Sequence, residues 1–117
     1  MRAFAILVAA GLGVGLPGSG IAQSFSGAEQ IIGGDLPGAE REIAEQRRMF
    51  PHDPDLLLNL AHVYAKTHRA AEARDLYRQV LARPDEMLTL SDGNSVAAHR
   101  LATSGLKSLT FETIAAR

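Results

Sequence analysis

Four histidines, His52, His62, His68 and His99, are the side chains in this sequence best suited to chemistry near neutral pH. A histidine can transfer a proton, ligate a metal or recognise a ligand, and the company it keeps decides which. His62 and His68 are six residues apart, and six residues turn a helix by roughly 600°, so the two rings point apart. There is no H-E-x-x-H motif, and His52 and His99 belong to other elements. A zinc site needs about three or four converging ligands, which this spacing does not supply. The metal-dependent enzyme therefore ranks last among the readings.

Other chemistries find as little. Glu40, Glu42 and Glu45 could be paired as acid and base, but they stand among Arg41, Arg47 and Arg48, the pattern of a solvated helix face. No G-x-S-x-G nucleophile elbow occurs beyond the first segment. With no cysteine there is no thiol nucleophile, thiolate metal site, disulfide or lipid-carrying cysteine. Gly13-Val14-Gly15-Leu16-Pro17-Gly18 fits G-x-G-x-x-G after the strand-like FAILVAA. A dinucleotide fold would need further βαβ units, and no apolar β-branched run follows. No catalytic residue, cofactor or metal is assigned. Near-balanced charge and the absence of tryptophan argue against nucleic-acid surfaces and aromatic stacking platforms.

The elements that carry these residues fall into two parts. Arg2 followed by the uncharged run Ala3–Leu16 and a Pro17-Gly18-Ser19-Gly20 break reads as an export signal. Gly20 and Ala22 place small residues for a cut after Ala22, so residues 1–22 are expected to be removed and the chain to be periplasmic or secreted. The apolar run has 14 residues, short of the ~20 that span a bilayer, so no stable membrane span is expected after cleavage.

The rest, residues 23–109, is expected to be all-α. A short, weakly helical stretch covers 24–33. Asp35 caps a helix with Pro37 in its first turn and Ala39, Ile43 and Ala44 at helical spacing. Asp53-Pro54 starts the next, to about Ala65, with an apolar stripe of Leu57, Leu60, Ala61 and Tyr64. A short turn at 66–69 forces its partner, about 70–82, to run antiparallel, burying Ala73, Leu76, Tyr77, Val80 and Leu81. After an irregular connector, extended at Leu88–Leu90 and turning at Asp92-Gly93-Asn94, Ser95 caps a last helix over 96–109. Its stripe is Ala98, Leu101, Ala102, Gly105 and Leu109, with His99 on the solvent side. Residues 110–117 are expected to fray.

The spacing resembles the tetratricopeptide repeat, W-x₂-L-G-x₂-Y…A-x₃-F…P over about 34 residues. Leu57-x₂-Leu60-Ala61-x₂-Tyr64, Ala73-x₃-Tyr77 and Pro84 follow it, the proline one residue early. Gly34, Asp35, Ala39, Ile43 and Pro51 match the second half of a preceding repeat, and Ala39 to Ala73 is one period of 34. The layout is similar to that of small exported bacterial tetratricopeptide proteins: about one and a half repeats over 27–84, closed by a capping helix. The resemblance implies a non-enzymatic adaptor or scaffold that binds a protein or peptide, with a groove lined by the first helix of the hairpin. The groove positions would be Asp55, Leu58, Asn59, His62 and Lys66. Polar residues are also what any solvated helix face carries.

So short a stack does not bury a continuous core by itself, which leaves room for a partner chain or a second copy. In the alternative reading, Leu56 and Leu58 form an exposed contact in a self-associating envelope subunit, because Leu56-Leu57-Leu58 covers more circumference than one helix can bury. His68 falls in the hairpin turn, where such repeats often carry glycine.

Overall fold

The computed structural model describes residues 5–6, 27–90 and 92–115. The Gly13–Gly18 motif and the cut after Ala22 lie outside the described residues. Five helices follow the expected order: α1 (Ala28–Ile32), α2 (Leu36–Arg47), α3 (Pro54–Lys66), α4 (Ala70–Leu81) and α5 (Ala98–Ala115). Local chemistry sets their starts. The Asp35 carboxylate accepts the Gly38 N–H at 2.9 Å, and the Asp53 carboxylate accepts the Asp55 N–H at 3.0 Å. Each satisfies one of the donors that a helix leaves open at its first turn.

Helices α3 and α4 form the antiparallel hairpin. Leu57, Leu60 and Ala61 pack with Ala73, Leu76, Tyr77 and Val80 in one cluster, which Tyr64 and Leu81 flank half-buried. Ala61 and Ala73 are both fully buried, and side chains this small let the two backbones approach. A smaller cluster of Ile31, Ala39 and Val63 ties α1 and α2 to the other side of α3. Ile43 is buried as expected, whereas Ala44 is exposed; it stands next to the stripe rather than in it.

Helix α5 packs on both α4 and α3, where the first helix of a further repeat would lie. Its buried residues are Ala98, Ala102 and Leu109, with Leu101 and Leu106 half-buried. Contact with α4 is closest at Gly105, where a β-carbon would fall within the Tyr77 ring.

The connector holds more structure than its sequence announces. Strand β2 (Met87–Leu90) pairs antiparallel with β3 (Ser95–Ala97) around Gly93, whose φ is +91°. The turn expected at Asp92–Asn94 is thus a hairpin loop. Ser95 does not cap α5, because the ladder to Thr89 takes it into the sheet. The helix begins at Ala98 instead, and its cap comes from across the chain: Asp85 accepts the His99 N–H at 2.9 Å. His99 is half-buried rather than open to solvent, its Nε2 2.7 Å from the Arg83 carbonyl. The helix also runs past Leu109 to Ala115, where an irregular tail was expected. A third strand, β1 (Ala5–Ile6), pairs in parallel with the free side of β2, giving the order β1-β2-β3.

The Gly105–Tyr77 contact makes a direct test of the α4–α5 seam. Gly105→Ala should cost about 1–3 kcal/mol in urea unfolding, the usual penalty of overpacking. Combined with Tyr77→Leu, it should cost less than the sum of the single changes, since the two act on one contact.

Candidate functional site

The helix that the family resemblance singles out is enclosed along most of its length. All residues from Asp53 to Ala61 are buried, as is Val63. The expected groove residues form a gradient. Asp55 and Asn59 are 2% and 1% exposed and Leu58 is 5% exposed, His62 is half-buried, and Lys66 is exposed. The first three are thus not the solvated side of an amphipathic helix. Leu56 and Leu58 are likewise buried within the chain, in the same cluster as Leu57, and do not form the exposed apolar contact expected for self-association.

The neighbours of α3 account for this. At 100° per residue, Val63 faces the α1–α2 side and the Leu57–Ala61–Tyr64 stripe faces α4. The sector left over carries Asp55, Leu58, Asn59, His62 and Lys66. Two further elements pack on α3, helix α5 and strand β1. The candidate site is this face of α3, next to the sheet: β1 packs on α3, and Leu58 shares a buried cluster with Leu88 of β2.

Electrostatics distinguish its residues. Burial, and after it the Lys66 ammonium one turn along, holds the His62 pKa below the ordinary histidine value. A neutral imidazole offers one donor and one acceptor, suited to a peptide backbone.

The hairpin turn holds the open end of this face. The Thr67 hydroxyl donates to the Val63 carbonyl at 2.8 Å, and the Arg69 N–H donates to the Tyr64 carbonyl at 2.8 Å. The Arg69 guanidinium lies 4.5 Å from the Tyr64 ring centroid. It donates twice to Glu40 on α2, at 3.1 and 2.7 Å, and twice to Thr67. The Glu40 carboxyl is held below its usual pKa by these Arg69 hydrogen bonds, against the opposing effect of burial. This clamp joins one repeat to the next. Between Thr67 and Arg69 stands His68 with φ +63°, a left-handed conformation that costs any residue with a β-carbon.

A second concavity of about 440 Å³ lies at the opposite end, between the α2–α3 turn, the end of α4 and the start of α5. Phe50, Pro51, Pro54 and Pro84 line it with Arg83 and Glu86. Its Asp53 and Asp85 are engaged as helix caps. Among the described residues, no three His, Asp or Glu side chains converge as metal ligands do, and no helix is long and apolar enough to cross a membrane.

An antiparallel pair of 13 and 12 residues, a 34-residue period and a following helix packed on it agree with the family comparison. The model of the tetratricopeptide repeat matches residues 30–103, well over half of the chain. The chain belongs to the tetratricopeptide repeat family. The match extends past α4, across the β2–β3 hairpin and into the first turns of α5. No curated protein and no solved structure matches the chain. Tetratricopeptide repeats generally mediate protein–protein interaction and are typically non-catalytic.

Sequence reasoning grouped the five α3 residues as one groove and read extension at Leu88–Leu90, but missed that strand β1 packs on the same helix. The strand-like FAILVAA was the available signal. It also missed Asp85, whose capping role depends on a fold-back that sequence spacing does not encode.

Two stability measurements follow. His68→Gly removes the left-handed penalty and should stabilise the domain by about 0.5–1 kcal/mol, less than the full strain because glycine is freer when unfolded. A fall in midpoint would contradict the turn geometry. For His62 the folded pKa is depressed, so the unfolded chain takes up the proton first as pH falls. Its contribution is whole above about pH 6.5 and is lost as pH drops below that value toward the folded pKa. Denaturant titrations should show stability falling from pH 7 to 5, with a shallower slope in His62→Gln.

Proposed function

We propose that this protein is an exported, non-enzymatic adaptor that holds a segment of another protein against α3, through Asp55, Leu58, Asn59, His62 and Lys66. The observation that carries the reading is the tetratricopeptide repeat match over residues 30–103, a repeat that generally binds protein, together with a half-buried His62 and an exposed Lys66 at the open end of the α3 face. An imidazole with apolar surface beside it and a lysine at the open end fits a peptide chain better than a small metabolite. Arg2 and the uncharged apolar segment 3–16 support export, and the periplasm or the extracellular space is the compartment they imply.

The test has two parts. N-terminal analysis of the protein recovered from an expressing bacterium should give a chain starting at Gln23 in the envelope or secreted fraction. An intact N-terminus in the cytoplasm would contradict export. Cross-linking in the same cells should then trap a defined partner, and Lys66→Ala, at an exposed position, should weaken its capture about five-fold or more while leaving thermal stability nearly unchanged, as loss of one or two polar contacts would. Undiminished capture would move the binding surface off α3.

A further inference from the structure

We propose that the free side of β2, next to α3, is a strand-docking site: it takes an extended, uncharged apolar segment of a partner protein, running parallel to β2, and residues 5–6 of this chain fill it until the leader is removed. The proposal deepens the reading of the α3 cleft and rests on it for the compartment in which the site opens.

The ladder fixes which backbone groups are offered. Leu90 N–H donates to the Asn94 carbonyl and the Glu86 carbonyl accepts from Ala98 N–H, both on the β3 side. Backbone groups alternate sides along a strand, so those of Met87 and Thr89 point the other way, toward β1. There Ala5 lies opposite Thr89 and Ile6 opposite Leu90. The same strand packs on α3, so one extended segment meets a sheet edge and a helix face together. Without it, β2 and β3 form a lone two-stranded hairpin with an unpaired edge, a marginal structure and a ready template for another strand. Partners that use such an edge gain affinity from main-chain bonds and specificity from side-chain pockets.

The chemistry of the occupant is read from the site and from its present tenant. Leu88 and Leu58 belong to one buried cluster, with Leu90 packed against it. No charged residue occurs in Met87–Leu90, and the tenant is drawn from the uncharged run AFAILVAA. The matching occupant is an apolar strand.

The tenant also makes a prediction about affinity. A site filled by its own chain binds an added peptide only through the fraction that is open, so emptying it raises the apparent affinity. The chain contains no cysteine, which makes single-cysteine cross-linking clean. The probe is a fluorescein-labelled AFAILVAA peptide with a lysine tail for solubility, added to the full-length chain. Ile6→Asp or, as a second way of breaking the pairing, Ala5→Pro should bind it at least about ten-fold more tightly than the wild type. Thr89→Pro added to either should remove the gain, because it deletes the N–H that faces the docked strand and spares the β2–β3 ladder. Thr89→Val should keep it. With cysteine in the probe in place of Ala5, disulfide formation should favour Thr89→Cys over Leu90→Cys; with cysteine in place of Ile6 the preference should reverse. Helix content by circular dichroism, equal across the set, separates these effects from unfolding.

The proposal is overturned if neither β1 variant gains affinity, if Thr89→Pro leaves the gain intact, or if the cross-linking preference is antiparallel. It is also overturned if opening β1 yields a dimer in sedimentation that excludes the probe, which would make a second copy the occupant. Export plays no part in these measurements, so a chain that keeps its leader in the cell leaves their outcome unchanged.

Discussion

Helix α3 carries leucine, alanine or valine over most of its circumference, and such a helix is stable only where protein encloses it on every side. Each other element takes one sector of that task. Helices α1 and α2 close over Val63, α4 and α5 over the leucine stripe, and the sheet side receives β1. One and a half repeats have few surfaces with which to do this, which is why an 18-residue α5 and an inserted hairpin complete an array that would otherwise be too short. The Arg69 contacts to Glu40 and Thr67 then tie the α3–α4 turn to α2.

Function follows from the sector that is hardest to fill. An array with more repeats would cover it with another copy of itself, or leave it as an open groove. Here it lies beside a sheet edge, so an extended chain finds a helix face and a row of backbone donors and acceptors in one place. Residues 5–6 lie along that edge and so cover an apolar, strand-competent surface that would otherwise invite indiscriminate pairing.

The helical frame was legible in the sequence because it rests on local rules. Asp35, Pro37, Asp53 and Pro54 state helix starts, and Leu57, Leu60, Ala61 and Tyr64 state a face. The left-handed turn at His68 was legible from its place between two helices. What stayed hidden depends on contacts between distant segments. Ser95 has the chemistry of a helix cap, yet pairing with Thr89 outweighs that local preference and passes the capping role to Asp85. The burial of Asp55 and Asn59 was equally invisible, since an amphipathic pattern reports which residues are polar and not what comes to lie over them.

Amide hydrogen exchange on β2 tests the enclosure of α3 most directly. In the full-length chain the Thr89 amide, on the β1 side of β2, should be protected to the same degree as Leu88 and Leu90. In a chain lacking residues 1–22 protection should fall at Thr89, while Leu88, Leu90 and the α3 amides stay slow. Equal exchange at Thr89 in both chains would contradict the account, because the N-terminal strand would then contribute nothing to closing the cleft.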